Sequence, residues 1–341
     1  MTSLLSVFEF DTNMFRNFQI ATFLFLVMMF SSCKKETLLD VHASRLSVND
    51  NVNVQCIIST NTHKFACGGI KGETGVIYRT IGNDITSWQK VLSISGNCLY
   101  CIAFVNDSLG FACGENLLLL KTTDGGNTWV DQHSIQGQPP VNYYGTLRSI
   151  YCVDANNIYV AGGKDYEVGI TYKTHDGGNF WIYNTFDNEL RSIYFKDKYT
   201  GLFSGYGTIL KTNDSAETFN RLPIDNDFFT SLAFLNGDLG YACGYNGGIC
   251  KTTNGGNSWT EQIKNNNDLE HTRHFNSIKF LNDNVGYAVG NNGLVITTSD
   301  GGENWKTIKK FTNGNLFSIY IEDAAHIYIA TQQGEIYELN P

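Results

Sequence analysis

The apolar and polar positions of this chain fall into two patterns, each of which returns seven times. One is a short apolar stretch of Ser-Ile-x-Phe character, such as Ser192-Ile193-Tyr194-Phe195, followed by turn residues rich in Asp and Asn. The other is Gly-Tyr-Ala-x-Gly, such as Gly240-Tyr241-Ala242-Cys243-Gly244. Short apolar stretches bounded by turn formers predict strands. First strands are expected at residues 56–58, 101–104, 149–152, 192–195, 231–234, 277–280 and 318–321. Second strands are expected at 65–68, 111–114, 159–162, 202–205, 241–244, 287–290 and 328–331. A third strand ends in a polar turn and a fourth follows it. The period of about 40 residues is that of a propeller blade, so the chain is predicted to be all-β, a seven-bladed β-propeller of four-stranded antiparallel blades.

The turn after the third strand is clearest at Thr122-Thr123-Asp124-Gly125-Gly126-Asn127-Thr128-Trp129. Its key positions return as Asp176 and Trp181, Asp214 and Phe219, Asn254 and Trp259, and Asp300 and Trp305. An Asp at this place accepts hydrogen bonds from backbone N–H groups just downstream, and Gly supplies the positive φ of a tight hairpin. The Trp starts the next strand and folds back over the turn, burying a large apolar area. Asn254 keeps the acceptor oxygen but not the charge, so geometry rather than acidity is what the position needs. That argues against a catalytic or metal-binding role for these Asp residues. The first unit has only a stretched version, at Thr80, Asp84 and Trp88. The last unit stops after three strands, at residues 336–340, so a strand around residues 45–48 is predicted to complete it and close the ring.

These turns resemble the Asp-box, or bacterial neuraminidase, repeat, Ser/Thr-x-Asp-x-Gly-x-Thr-Trp, which occurs in β-propellers of several functions. Combined with Gly-Tyr-Ala-x-Gly, the Thr-x-Asp-Gly-Gly-x-x-Trp turn is similar to the photosystem II assembly and stability-factor propellers and their non-photosynthetic relatives. The resemblance covers nearly all of the chain after its first 40 or so residues. It implies a non-catalytic assembly factor that holds a partner protein, and it does not name the partner.

At 341 residues and 42% hydrophobic content the chain has ample material for one repeat-built domain. Its net charge of -9 argues against a general nucleic-acid binder. An apolar run at residues 20–30 follows Arg16 and precedes Ser31, Ser32 and Cys33. It is shorter than the roughly 20 residues of a spanning helix and has the form of an export signal. Met14 is a candidate true start, because Glu9 and Asp11 suit a signal poorly. Phe30-Ser31-Ser32-Cys33 resembles a bacterial lipobox, which makes Cys33 the lipidated residue; ordinary cleavage is the alternative. Lys34 follows, which by the same resemblance favours the outer membrane. The expected organisation is a signal peptide at 1–32, a tether at 33–44 and the propeller at 45–341.

Nine cysteines in an exported chain invite disulfides, and setting Cys33 aside leaves an even number. Against this, Cys67, Cys113 and Cys243 hold a second-strand position that Gly162, Gly205 and Val289 hold elsewhere, so a small side chain suffices there. Cys98 and Cys101 are three apart on a strand and face opposite ways, unlike a redox or zinc pair. The best candidate bridge is Cys243 to Cys250 across a turn at Asn246-Gly247. His271 and His274 lack a third ligand at suitable spacing, and neither a metal nor a cofactor is expected.

The turns that join second to third strands, and fourth to first strands, gather opposite the Asp-boxes around the central opening. Two fourth-to-first connections are long: residues 135–147 with Pro139, Pro140, Tyr143 and Tyr144, and residues 264–275 with His271, Arg273 and His274. Other turns present Tyr166, Tyr206 and Tyr245. Arg148 and Arg191 directly precede first strands, and Arg273 lies close before another. Converging on one opening, these groups make a site for a carboxylate, a glycan or an acidic peptide. Pairing with acids such as Asp154 and Asp197 is the structural alternative. The expected function is a lipid-anchored propeller that binds a protein partner in the cell envelope. A sialidase-like glycosidase or a glycan-binding surface lipoprotein is the alternative. Sialidases add a Phe/Tyr-Arg-Ile-Pro segment before their first box and a Tyr-Glu pair; the nearest string here, Phe219-Asn220-Arg221-Leu222-Pro223, falls after a box and has an extra residue.

Overall fold

Strands such as Gly240–Gly244 and Ile327–Thr331 are buried along their whole length, which is the mark of strands covered on both faces. In the computed structural model the described residues are 38–82, 84–132, 145–224, 228–263 and 273–341. They form seven four-stranded antiparallel sheets, each with its strands in the order a-b-c-d, as a propeller requires. The a strands line the central channel and run Asn53–Ser59, Leu99–Phe104, Thr146–Cys152, Leu190–Phe195, Phe229–Phe234, Phe275–Phe280 and Leu316–Ile321 in blades 1 to 7. The b strands are Lys64–Ile70, Gly110–Gly114, Ile158–Lys164, Gly201–Gly205, Gly240–Gly244, Gly286–Gly290 and Ile327–Thr331. Every strand expected from the two repeats is present.

The ring closes as expected. His42–Ser47 pairs with Glu335–Asn340, from His42 opposite Asn340 to Ser47 opposite Glu335, and becomes strand d of blade 7. It begins three residues before the expected segment. Leu39 also reaches blade 6: its N–H donates to Thr307 O (3.0 Å) and its carbonyl accepts from Lys309 N–H (2.8 Å). The closing strand thus covers the edge that Glu335–Asn340 would otherwise expose.

The Asp-boxes link c to d in blades 2 to 6 and are saturated with local hydrogen bonds. In blade 2 the Thr122 hydroxyl donates to Asp124 Oδ1 (2.8 Å) and accepts from Gly126 N–H (2.9 Å). Thr128 donates its N–H to Asp124 Oδ1 (2.9 Å) and its hydroxyl to Oδ2 (2.6 Å). In blade 5 Asn254 Oδ1 accepts from the Thr252 hydroxyl and Ser258 N–H, both at 3.0 Å, while its amide donates to Ser258 Oγ. The amide thus fills the place of the carboxylate with the Ser hydroxyl reversed in role.

Each box also rests on the blade before it. A Cβ added at Gly126 would lie 2.7 Å from Phe65 in strand b of blade 1, and one at Gly256 would lie 2.7 Å from Leu202 of blade 4. Gly178 sits over Phe111 and Gly302 over Tyr241 in the same way. A cation from strand c of the preceding blade then caps the box carbonyls. Arg79 donates to Gly125 O (2.9 Å), Lys173 to Ala216 O (2.9 Å), Lys211 to Gly255 O (3.1 Å) and Lys251 to Gly301 O (2.8 Å). The box aromatics meet another ring edge to face: Trp129 with Phe104, Trp181 with Phe111, Trp259 with Phe234, Trp305 with Phe280, and Phe219 with Phe186 and Phe203.

Blade 1 has no such box. Strands Thr74–Ile81 and Asp84–Ser95 run together as one long hairpin, and Asp84 bonds to Thr86 rather than to Thr80. None of the eight cysteines among the described residues forms a disulfide. The Cys243–Cys250 bridge is not made because the hairpin register is off by one: Cys243 opposes Ile249 and Cys250 opposes Ala242.

The two hydrogen bonds that Thr128 donates hold the Asp124 carboxyl at about 2, below its ordinary 3.8. A depressed carboxylate contributes stability that is present above about 3.8 and lost as pH falls toward 2. Asp124→Asn is expected to keep the melting temperature near wild type at neutral pH, and Asp124→Ala to lower it clearly. The fall in melting temperature between about pH 4 and about pH 2 should be smaller for Asp124→Asn than for wild type. Thermal melts followed by circular dichroism test this; equal losses for the Asn and Ala variants would rule out the geometric role.

Candidate functional site

The last Gly of each Gly-Tyr-Ala-x-Gly repeat shapes the end of the channel opposite the boxes. At Gly114, Gly162, Gly205 and Gly290 a Cβ would fall 1.8–2.2 Å from a carbonyl oxygen at the start of strand a. A β-bulge lies at this place in all seven a strands, including that of blade 7, where Thr331 stands in the glycine's position: the register skips Gln55, Tyr100, Arg148, Arg191, Thr230, Asn276 and Phe317. A bulge re-aims one side chain, and these seven together line a cavity of about 290 Å³ at the channel mouth. The cavity opens into the central channel, about 590 Å³ in volume.

Arg148 and Arg191 are neighbours in this ring and share one acid. Glu189 Oε1 lies 3.0 Å from Arg191 Nε and 3.7 Å from Arg148 Nε, and the Glu189 side chain is only 4% exposed. Each guanidinium also covers an aromatic face, Arg148 that of Tyr100 (4.1 Å) and Arg191 that of Phe228 (4.8 Å). Neither Nε hydrogen points at an acceptor. Burial first, and the Arg148 charge second, lower Arg191 to about 10. Among the described residues two cations face one carboxylate here, an arrangement that can take a further anion. The ring's polar members are used differently: Thr230 Oγ1 donates to Phe275 O (2.7 Å) and Asn276 Nδ2 to Leu316 O (2.8 Å), each tying its blade to the next.

Beside the Arg pair runs an arc of aromatic side chains. Phe228 is buried and packs against Tyr166 (5.4 Å), Tyr206 (5.5 Å) and Tyr245 (6.0 Å), whose rings are exposed; Tyr245 in turn packs on His274. The arc is held by backbone: Tyr206 N–H donates to Glu189 O (2.8 Å) and Tyr245 N–H to Phe228 O (2.9 Å). Asp165 and Tyr166 are the central residues of the turn from Lys164 to Glu167, with φ of 53° and 67°, a strained conformation for non-glycine residues. Glu189 Oε2 accepts from Tyr166 N–H, so one buried acid fixes both the arginines and this turn.

Of the residues expected at the site, the fold brings together Arg148, Arg191, Tyr166, Tyr206 and Tyr245. Arg273 is exposed just before strand a of blade 6 and is not among the cavity-lining residues, because the bulge of that strand presents Asn276. Tyr143, Tyr144 and His271 lie outside the described residues, as does Cys33. The acid beside the arginines is Glu189, not Asp154 or Asp197. Those two accept backbone N–H bonds in their own a–b turns, Asp154 from Asn156 and Asn157, Asp197 from Tyr199 and Thr200. Glu189 and Phe228 carry no repeat signal of their own; the signal for Tyr100 is its place one residue before the Ser or Cys that opens each first strand. Arg221, in the string nearest to a sialidase motif, bonds to Gly207 O and Asn188 and serves the local turn.

Glu189→Gln would leave two guanidinium groups facing each other without a counter-charge. Its expected cost is roughly 2–3 kcal/mol, below that of a dry pair because the arginine side chains stay partly exposed. Urea unfolding measures it, and adding Arg148→Gln should recover part of the loss. A Glu189→Gln protein as stable as wild type would show that the acid does not hold the pair.

Comparison with known proteins agrees with this architecture. The family model described as photosynthesis system II assembly factor YCF48 matches residues 82–221 and 211–340. A 45-residue stretch is 42% identical to the photosystem II assembly lipoprotein Ycf48 of Prochlorococcus marinus, a match that spans 13% of this chain and 13% of that relative. Among solved structures, a YCF48 bound to a D1 peptide is 16% identical with a TM-score of 0.69, over 90% of this chain and 99% of that one. The YCF48 of Cyanidioschyzon merolae is 14% identical with a TM-score of 0.67, over 88% and 98%. With two matched segments that together span most of its length, the chain belongs to the photosynthesis system II assembly factor YCF48 family.

Proposed function

We propose that this protein is a non-catalytic assembly factor that holds a segment of a partner protein at the bulge-built mouth of its channel. The observation that carries the reading is the Arg148 and Arg191 pair sharing one acid, Glu189, among the described residues. A carboxylate from a partner supplies the charge the pair lacks, and charge-assisted bonds to guanidinium are strong and directional. The exposed rings of Tyr166, Tyr206 and Tyr245 offer apolar contact beside it. The similar structure of a YCF48 bound to a D1 peptide supports a protein segment as the ligand class. On this reading the boxes take no part in binding, since their carboxylates are occupied by turn hydrogen bonds.

The proposal extends to the chain's address: export, lipidation at Cys33 and anchorage at the outer membrane of a bacterial envelope. The lipobox-like Phe30-Ser31-Ser32-Cys33 and the following Lys34 support it.

Cross-linking in native envelopes, followed by capture and mass spectrometry, is expected to return one dominant protein partner. Arg148→Ala and Arg191→Ala should each weaken its capture about tenfold or more, and capture by the wild-type protein should itself weaken as salt is raised. Unchanged capture by the double variant would sink the site, and hydrolysis of a fluorogenic sialoside would sink the non-catalytic reading. Cys33→Ser is expected to move the protein from the membrane fraction to the soluble fraction on cell fractionation; unchanged membrane association would remove the anchor.

A further inference from the structure

The residue after each bulge forms a second ring, one step deeper in the channel: Cys56, Cys101, Ser149, Ser192, Ser231, Ser277 and Ser318. The serines show what the position does. Ser192 Oγ accepts from Leu232 N–H (3.0 Å), Ser231 Oγ from Ile278 N–H (3.3 Å) and Ser277 Oγ from Ile319 N–H (3.4 Å), so each side chain crosses to the next blade. In blades 1 and 2 the hydroxyl is replaced by a thiol, a much weaker hydrogen-bonding group. The two thiols also face the same neighbour. Cys56 Sγ lies 3.9 Å and Cys101 Sγ 4.0 Å from the carbonyl oxygen of Ile102.

We propose that Cys56 and Cys101 are an oxidisable thiol pair in the channel wall, whose disulfide joins blade 1 to blade 2 one residue below the mouth ring. Both line the central channel and are partly exposed, so a small oxidant can reach them. Cys67 and Cys113, their partners in cross-strand register, are buried behind them. Hydrogen bonding from Cys101, and then from Cys67, lowers the Cys56 thiol, which favours it as the attacking sulfur. The same contact, and burial after it, raise Cys101.

With a peroxide as oxidant the chemistry balances. The Cys56 thiolate attacks one oxygen of hydrogen peroxide, becoming a sulfenic acid and releasing hydroxide, which takes a proton to give water. The Cys101 thiol then attacks the Cys56 sulfur, forming the S–S bond and expelling the second water. The two sulfurs lose two electrons in all, and the peroxide gains them. The bridge would fix Gln55 and Tyr100, the ring residues directly before each cysteine, and Tyr100 is the platform of Arg148. It is independent of which partner the mouth binds.

The test treats the full chain with hydrogen peroxide, alkylates the remaining thiols and maps peptides without reduction. One linked pair joining Cys56 to Cys101 is expected, together with the loss of those two free thiols. Cys56→Ser and Cys101→Ser introduce the residue that the other five blades carry, so they should fold, as circular dichroism can verify, and neither should form a linked pair. A wild-type protein that keeps both thiols, a bridge from Cys56 to Cys67, or a Ser variant that still forms a channel-wall bridge would each overturn the proposal.

Discussion

The ring depends on one joint: the seat of each Asp-box on strand b of the blade before it. The two sequence repeats are the two halves of that joint. The box brings a glycine in the left-handed region, and the Gly-Tyr-Ala-x-Gly strand brings the ring or branched side chain that fills the space a Cβ would need. A cation from strand c closes the contact over the box carbonyls. Because every joint spans two blades, stability in such an array comes from neighbour interfaces more than from single blades. Blade 4 marks the limit of variation. There Ser215 and Ala216 replace the two glycines and sit at φ of 61° and 60°, a cost of about 1 kcal/mol or more for each. The Ala216 methyl is buried in the same core cluster as Tyr159, and Lys173 caps its carbonyl, which offsets part of that cost.

The joint and the site lie at opposite ends of the blades but share a motif. Tyr, the second residue of the repeat, seats the next box; Gly, the last, admits the backbone of strand a and accompanies its bulge. The bulge position can vary freely because its side chain points into the mouth instead of the blade core. Five blades carry neutral groups there, and two adjacent blades carry arginines. Positive charge is thus concentrated on one side of the mouth in a chain whose net charge is -9.

Periodicity made the fold legible: strands, boxes and the closing strand all follow from residues that recur. The site was legible only where it repeats. Arg148 and Arg191 stood out because both precede Ser-Ile-Tyr, yet the pattern alone gave no reason to separate them from Arg273, whose strand turns Asn276 inward. Glu189 was hidden because it comes from a d–a connection with no counterpart pattern, while Asp154 and Asp197 drew attention by being near in sequence. Local turn bonds had already claimed both. The Cys243–Cys250 pairing failed for a similar reason: a hairpin of three glycines, Gly244, Gly247 and Gly248, fixes register by backbone bonds that composition does not reveal.

The mouth carries costs that the opposite face does not. Asp165 and Tyr166 hold positive φ without glycine, a strain of about 1–3 kcal/mol for each residue, and two guanidinium groups crowd one buried acid. The Asp-box joints and the closing strand lie elsewhere. A less strained turn with Gly in place of Tyr166 would serve the blade better and would remove the ring that packs on Phe228. Glu189 ties these costs together, because the same carboxylate that faces both arginines accepts the Tyr166 N–H. One side chain thus couples the geometry of the arginine pair to that of the turn.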